Sequence, residues 1–221
     1  MQQSNIFEVY EEGKGKYRRI YTKSILPGYN VYGEKVLRKG KDEYREWEPR
    51  RSKIAAAIMK GSPNIFLRKG HTVLYLGAAS GTTVSHISDI VGKEGFIFAI
   101  DFAPRVVRDL VFVCKKRKNI APMLDDAKHP EEYKDMVSKI DIIIQDIAQK
   151  NQVDIFLKNV DMFLKKGYAI LSVKSRSIDV TKKPRQIFNE VRRKLEQNIK
   201  IVDSRDLGPY EKDHMIFICK K

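Results

Sequence analysis

The stretch Val73-Leu-Tyr-Leu-Gly-Ala-Ala-Ser-Gly-Thr-Thr83 decides the fold class of this 221-residue chain. Four apolar residues typical of a buried strand run directly into a loop of small residues that opens a helix. Gly77 and Gly81 let the backbone approach a ligand closely, and Thr82 and Thr83 can cap the helix. The stretch therefore predicts a strand, a ligand loop and a helix of an open α/β sheet. A tight strand-to-helix turn without a ligand is the alternative.

Six further short apolar runs follow at regular intervals. They are Phe96–Ile100, Ile120–Leu124, Ile140–Ile144, Tyr168–Val173, Ile199–Val202 and Met215–Cys219. Helical patterns separate the first six of the seven predicted strands, and three have a proline near the first turn, at Pro104, Pro130 and Pro184. This alternation predicts a mostly parallel sheet with helices on both faces. Only residues 203–214 separate the last two strands, so we expect an antiparallel pair, as in Rossmann-like methyltransferase folds.

The region before this sheet has a different pattern. Asn5–Tyr10 and Tyr17–Ser24 alternate large and polar residues around turn-prone residues 12–15, which predicts a hairpin. Ser52–Met59 then reads as a helix, ended by Gly61-Ser62-Pro63. We therefore predict a small β-rich subdomain over residues 1–49 and the main α/β domain over residues 50–221.

Basic residues are concentrated near the start of the chain. The formal net charge is +15, from 43 Lys and Arg against 28 Asp and Glu, and residues 14–60 hold 14 basic and 5 acidic residues. Clustered Lys and Arg attract phosphate, which indicates RNA, DNA or an acidic protein surface as a partner. A solvated basic face that maintains solubility is the alternative.

Other classes of protein are disfavoured. No apolar run approaches the roughly 18 residues of a membrane span, so we expect no membrane contact. The two cysteines, Cys114 and Cys219, lie in apolar contexts. They are expected to be buried thiols in a reducing compartment, and we predict neither a disulfide framework nor a metal site.

Carboxylates follow the strands where the sheet should bind its ligand. Asp101 closes the second strand, where it can accept both ribose hydroxyls of a nucleoside. Asp126, in Asp125-Asp126-Ala127 after the third strand, can accept from an adenine amino group; helix capping ahead of Pro130 is the alternative. The loop at Gly77 lacks the G-x-G-x-x-G of a pyrophosphate cradle. The pattern therefore indicates S-adenosyl-L-methionine rather than NAD.

A second polar group follows the next two strands. Asp146 ends the fourth strand and Lys174 the fifth, so we expect their side chains to face each other across neighbouring strand ends in a cleft. A surface salt bridge is the alternative. Lys53 lies on the helix before the sheet and His214 begins the last strand, and each of these alone is an ordinary residue.

Six motifs occur in order along the chain: residues 48–58, 75–83, 126–130, 146–149, 174–179 and Asp213-His214. Together they resemble the fibrillarin family of guide-RNA-directed ribose 2′-O-methyltransferases in its archaeal form, and the resemblance runs from about Asn5 to the C-terminus. The chain departs from the family pattern at Asp101, where Glu is usual, at Lys128, where Arg is usual, and at Ile147, where Val is usual. Each change keeps charge or shape, so it affects fine geometry and not the expected activity.

The resemblance implies the site residues and the assembly. Its catalytic group is Lys53, Asp146, Lys174 and His214. Its cofactor site for S-adenosyl-L-methionine is Gly77, Ala78, Thr82, Thr83, Asp101, Phe102, Asp126, Ala127, Asp146, Ile147, Ala148 and Gln149. The implied partners are box C/D guide RNA, target RNA, a Nop-domain scaffold and a kink-turn-binding, ribosomal-protein-like subunit. Eukaryotic relatives begin with a Gly/Arg-rich tail, and its absence here favours a cytoplasmic archaeal-type enzyme.

Two other function classes compete with this enzyme. The missing G-x-G-x-x-G argues against a nicotinamide-dependent oxidoreductase, and the four polar catalytic types argue against a catalytically silent RNA-binding scaffold. Lys174 is either a general base, with the charge of Lys53 favouring its neutral form, or an electrostatic positioner of the hydroxyl. The sequence leaves both roles open, because the charge of Lys53 would lower the pKa of Lys174 whereas a nearby carboxylate would raise it.

Overall fold

The computed structural model describes residues 1–221, apart from the side chain of Lys16. Five short strands form an N-terminal antiparallel sheet in the order β1-β2-β3-β5-β4. They are β1 (Gln2–Gln3), β2 (Val9–Glu12), β3 (Arg19–Lys23), β4 (Val36–Lys39) and β5 (Asp42–Glu46). The prediction of a β-rich N-terminal subdomain is confirmed, including the hairpin of β2 and β3. The boundary between residues 49 and 50 stays a prediction.

Seven strands form the main sheet, in the order β11-β12-β10-β9-β6-β7-β8. They are β6 (Thr72–Leu76), β7 (Phe96–Asp101), β8 (Ile120–Leu124), β9 (Ile142–Gln145), β10 (Tyr168–Lys174), β11 (Lys200–Asp206) and β12 (His214–Lys220). The strands from β10 to β8 are parallel, whereas β12 runs antiparallel to both β10 and β11. The predicted Rossmann-like sheet with an antiparallel last pair is confirmed.

Helices connect the strands and cover the sheet. They are α1 (Lys53–Met59), α2 (Thr82–Val91), α3 (Pro104–Lys116), α4 (Pro130–Tyr133), α5 (Gln152–Phe163), α6 (Ser175–Ile178) and α7 (Pro184–Glu196). Proline begins α3, α4 and α7, because the first turn of a helix does not use that N–H. The connection from β8 to β9 holds only α4 and a 3₁₀ turn, Lys134–Met136.

Alternation along each strand divides the core into two apolar layers. Val73 and Tyr75 of β6 pack in one layer, and Leu74 and Leu76 pack in the other. The first layer includes α1, α2, α3 and the N-terminal sheet, and the second includes α5 and α7. Because side chains of a strand point alternately to opposite faces, helices cover both faces of the sheet, as predicted.

A buried charged network joins the N-terminal sheet to α2. Arg45 of β5 donates to Glu34 at 2.6 Å and to Asp89 of α2 at 2.7 Å. Arg117 donates to the other carboxylate oxygen of Asp89, also at 2.7 Å. The side chains of Arg45, Arg117 and Asp89 are completely inaccessible to solvent. The network fixes the small sheet against the helix that begins at the Gly77 to Thr83 loop.

His86 of α2 lies beside this buried network and makes the stability of the protein depend on pH. Thr22 and Tyr32 contact its two ring nitrogens at 2.8 Å each, and burial, with the charges of Arg45 and Arg117, lowers its pKa well below the ordinary value. Below about pH 6.5 the unfolded chain takes up a proton that the folded chain excludes. We expect the free energy of unfolding to fall as pH falls through this range, by at most about 1.4 kcal/mol per pH unit.

Urea unfolding of the protein between neutral and mildly acidic pH measures this effect. His86→Gln should reduce the pH dependence even if it lowers stability overall, whereas His129→Gln, at an exposed histidine, should retain it. An unchanged slope in the His86→Gln protein would show that His86 does not cause the acid sensitivity.

Candidate active site

The carboxyl ends of β6, β7, β8 and β9 surround a cavity of about 290 Å³. Four carboxylates line it, from Asp101, Asp125, Asp126 and Asp146. The other lining residues are Gly77, Ala79, Ile100, Phe102, Ala127, Ile147, Ala148 and Gln149. Most of the predicted cofactor residues therefore share one cavity, while Ala78, Thr82 and Thr83 lie outside its wall. Ala79, Ile100 and Asp125 line it without having been predicted.

The loop after β6 is held in place by Asp101. Both carboxylate oxygens of Asp101 accept backbone N–H groups, from Ala79 at 2.9 Å and from Ala103 at 3.1 Å. Ala79 has φ of +47°, a conformation that the sequence does not reveal at an alanine. Gly77 has φ of +84°, and a side chain there would collide with the carbonyl of Asp146. The glycine therefore allows close approach between the loops after β6 and β9.

The acidic pair after β8 forms a turn. Asp126 accepts from the backbone N–H of Lys128 at 3.0 Å, and the N-cap of α4 is His129, which makes no side-chain capping bond. Helix capping by Asp126, the alternative that the sequence left open, is therefore not its arrangement here. Burial raises the pKa of Asp125, with a smaller effect from Glu132. Both carboxylates line the cavity and remain partly accessible.

Lys53 and Asp146 form an ion pair at the rim of the cavity. Nζ of Lys53 lies 3.1 Å from Asp146 Oδ2, and each side chain is about three-quarters buried. Burial alone would lower the pKa of Lys53, but the carboxylate of Asp146, with a smaller effect from Glu211, raises it. Lys53 is therefore a fixed positive charge, held beside a predicted catalytic carboxylate.

Hydroxyl groups position the helix that carries Lys53. Ser52 is the N-cap of α1 and its Oγ accepts from the N–H of Ala55 at 3.4 Å. The hydroxyl of Thr83 donates to the same Ser52 oxygen at 3.1 Å. Burial and the nearby Asp146 raise the pKa of Tyr75, so its hydroxyl group stays neutral. Thr83 thus links α2 to α1, a contact that no local sequence pattern indicates.

Lys174 and His214 are neighbours across β10 and β12, where they pair in register. The side chain of Lys174 is exposed, and His214 is 9% exposed. Nδ1 of His214 lies 2.7 Å from the carbonyl oxygen of Lys212. Because a carbonyl only accepts, Nδ1 is the donor in this contact. The ion-pair partner of Asp146 is Lys53, so the expected facing of Asp146 and Lys174 stays a prediction.

Asp213 ties together the two chain segments that adjoin Lys174 and His214. Its carbonyl accepts from both the N–H and the hydroxyl of Ser175 at 3.1 Å, and its carboxylate lies 3.1 Å from Nε of Arg176. Asp213 has φ of +60°, and its carbonyl meets the first residue of α6. We assign it a positioning role, which its place beside His214 in the sequence does not reveal.

Metal, membrane and thiol sites give no competing explanation within the described part of the chain. No group of three or more His, Cys, Asp or Glu side chains in that part is arranged to hold a metal ion. No helix there is both long and apolar enough to span a membrane. Cys114 and Cys219 are buried and unpaired, and burial raises the pKa of each thiol to about 12.

Comparison with known proteins identifies close relatives. The chain is 52% identical over 204 residues to the fibrillarin-like rRNA/tRNA 2′-O-methyltransferase of Pyrococcus horikoshii, covering 92% of this chain and 90% of that protein. It matches the crystal structure of Aeropyrum pernix fibrillarin with natively bound S-adenosyl-L-methionine at a TM-score of 0.90 and 41% identity, covering 99% and 96% of the two chains. It matches fibrillarin in a fibrillarin/Nop5p complex at 0.87 and 44%, covering 97% of each. A profile of the fibrillarin family matches residues 1–221, and the chain therefore belongs to the fibrillarin family.

Proposed function

We propose that this chain transfers a methyl group from S-adenosyl-L-methionine to the ribose 2′-hydroxyl of rRNA, and also of tRNA. The observation that carries this proposal is the carboxylate-lined cavity at the strand ends with the Lys53–Asp146 pair at its rim. A fibrillarin 41% identical to this chain holds S-adenosyl-L-methionine, and a 52% identical relative is an rRNA/tRNA 2′-O-methyltransferase. A silent scaffold and a nicotinamide oxidoreductase are not favoured.

The residues of the cavity fit this cofactor. Four carboxylates surround a space with no G-x-G-x-x-G cradle, which suits a positively charged sulfonium and a ligand without pyrophosphate. Asp101 would accept the ribose hydroxyls and Asp126 the adenine amino group, while the exposed ring of Phe102, on the cavity wall, would pack against the base. When bound, the cofactor supplies an already activated methyl group.

The protein must then align the ribose hydroxyl and manage its proton. Asp146 and Lys53 form a rigid charged pair beside the cavity, because α1 is fixed through Ser52 and Thr83. Lys174 is exposed at the carboxyl end of β10, next to His214 in the strand register. Its ammonium would hold the hydroxyl and stabilise negative charge on oxygen, or its amine would accept the proton. Substitution of Lys174 by Arg separates these two roles.

The proposal extends to a ribonucleoprotein. A fibrillarin 44% identical to this chain is solved in complex with Nop5p, which supports a Nop-domain scaffold as a partner. Box C/D guide RNA would select the target RNA by base pairing, with a kink-turn-binding subunit completing the particle. We propose that the basic N-terminal region or an adjoining face docks the scaffold. The cytoplasmic location stays a prediction.

The isolated protein should bind RNA weakly and methylate it negligibly. The reason is that guide pairing, not this chain, would select and position the target, so electrostatic attraction is what remains. We expect RNA affinity that falls steeply with added salt, and site-specific transfer only after reconstitution with guide RNA, scaffold and kink-turn protein. Transfer of a radiolabelled methyl group to a mapped nucleotide measures this. Site-specific methylation of naked RNA by the chain alone would contradict the partner requirement, and no transfer by the full particle would contradict the proposed activity.

Asp101→Ala should weaken cofactor binding by about 1–3 kcal/mol, the usual effect of leaving buried polar partners unpaired. It removes the predicted acceptor for the ribose hydroxyls and the anchor of the Ala79 loop. Titration calorimetry with S-adenosyl-L-methionine measures the change, and Asp109→Ala, at an exposed carboxylate of α3, is the control. Equal affinities in the two variants would show that Asp101 does not bind the nucleoside, and tight binding of NAD by the wild type would overturn the cofactor assignment.

A further inference from the structure

A row of lysines lies at the amino-terminal ends of the parallel strands. These ends form the edge of the main sheet opposite the cofactor cavity. We name this row the basal row, and it precedes each parallel strand in turn: Lys69 before β6, Lys93 before β7, Lys116 and Lys118 before β8, Lys139 before β9, and Lys165 and Lys166 before β10. All seven side chains are exposed. Five neighbouring strands separated by about 4.8 Å spread the row over roughly 19 Å.

The basal row is a region of uncompensated positive charge. Lys69 pairs with Glu94 at 3.2 Å. For the other six lysines, no carboxylate of the described residues lies within 4.0 Å of the ammonium. Lys158, Lys182 and Lys194, in contrast, pair with Glu131, Glu190 and Asp154. The two edges of the sheet therefore have opposite character, with carboxylates around the cofactor cavity and unpaired lysines at the other end.

Three cavities open along this edge; the one shared by Lys69 and Lys93 also holds Glu8, Asp89 and Glu94, and the other two are more basic. One, of about 390 Å³, is lined by Lys93, Lys116, Arg117 and Lys118, beside apolar residues of the N-terminal region and β7. The other, of about 940 Å³, is lined by Lys134, Lys139, Lys165 and Lys166. It also contains Asp135 and Asp141, of which Asp141 accepts the backbone N–H of Thr72. Both cavities thus present several ammonium groups around a concave surface.

Arg117 gives the smaller cavity a second, independent feature. The residue is 1% exposed, and Nη1 donates to Asp89 and to Ser88. Its buried Nε and Nη2 atoms have no hydrogen-bond partner among the described residues. Because the side chain is completely inaccessible to solvent, Arg117 adds positive charge behind the wall of this lysine-rich cavity and makes no direct contact with a bound anion.

We propose that the basal row and its two more basic cavities bind the phosphodiester backbone of RNA at a second surface, separate from the methylated nucleotide. This inference rests on the proposed function for the presence of RNA. Lysine is depleted from the core of protein interfaces, whereas phosphate contacts rely on Lys and Arg. Strands of five residues separate this edge from the cofactor cavity by about 17 Å. The RNA held here is therefore a different part of the guide or target from the reacting ribose.

The test compares two triple variants that remove the same charge. Lys93→Ala/Lys116→Ala/Lys118→Ala removes three unpaired lysines of the basal row, and Lys158→Ala/Lys182→Ala/Lys194→Ala removes three paired ones that lie outside it. Fluorescence anisotropy measures binding of a single-stranded RNA to each whole protein over a series of salt concentrations. We expect the basal variant to lower the slope of log affinity against log salt by about 2, because each phosphate that a lysine neutralises adds about 0.7 to that slope. The control should match the wild type.

Two further measurements make the outcomes distinct. Equal salt slopes for the basal and control variants would overturn the inference. Loss of poly-glutamate binding in the basal variant, with an unchanged RNA slope, would also overturn it and would identify an acidic protein surface as the ligand. In the reconstituted particle at saturating RNA, we expect the basal variant to methylate at the wild-type single-turnover rate. Failure of the wild-type particle to methylate at all would instead contradict the proposed function, whatever the salt slopes show.

Discussion

Asp89→Ala should lower the free energy of unfolding by roughly 3–5 kcal/mol, the usual effect of removing one partner from a buried ion pair. Asp89 accepts from Arg45 and Arg117 at 2.7 Å each, and from Thr22 and the N–H of Ile25. Its loss leaves two guanidinium groups, both sealed from solvent, without their shared carboxylate. A domain of ordinary stability has only about 5–15 kcal/mol in total, so the expected loss is a large part of it.

Urea unfolding of the whole chain measures the loss. Asp109→Ala removes a carboxylate from an exposed surface pair with Arg108, and it should change stability by less than about 1 kcal/mol. Because the network joins the N-terminal sheet to α2, Asp89→Ala should also increase protease cleavage between β5 and α1. A loss as small as that of Asp109→Ala would show that the two arginines find other partners and that the network does not hold the sheets together.

The sequence predicted the main sheet well because its information is local. Each parallel strand is an apolar run bounded by turn residues, and Pro104, Pro130 and Pro184 mark the first turns of helices that the structure confirms. The antiparallel last pair followed from the short connection between β11 and β12, which has no room for a crossover helix. These features depend on residues close together in the chain.

The buried network could not be predicted in the same way. Arg45 meets Asp89 across 44 positions and Arg117 meets it across 28, and in the sequence each looks like an ordinary surface charge. The candidate site shows the same division. Strand-end residues such as Asp101 and Asp126 were found because a parallel sheet brings its carboxyl ends together. The left-handed Ala79 and the bond from Thr83 to Ser52 depend on tertiary contacts that have no local pattern.

Lys174→Ala should reduce methyl transfer by roughly 10²–10⁴-fold, the usual contribution of a positioned proton acceptor or donor. Lys174 ends β10, beside His214 in the register and outside the lining of the cofactor cavity. Cofactor affinity should therefore stay within about tenfold of the wild type, because the hydroxyl and the adenosine occupy different parts of the cleft. Single-turnover transfer in the reconstituted particle measures the rate, with Lys182→Ala, at an exposed lysine paired with Glu190, as the matched control.

Lys174→Arg distinguishes the two roles of this residue. Arginine keeps the positive charge but does not give up its proton at any workable pH. If the amine accepts the proton of the ribose hydroxyl, the Arg variant should be as inactive as the Ala variant. The wild-type rate should then rise with pH, because only a neutral amine accepts a proton. If the ammonium instead stabilises negative charge on oxygen, the Arg variant should retain substantial activity, and that result would eliminate the general-base role. Cofactor and RNA binding must be measured for each variant, since the larger planar head of Arg changes the shape of the cleft beside His214 as well as its chemistry.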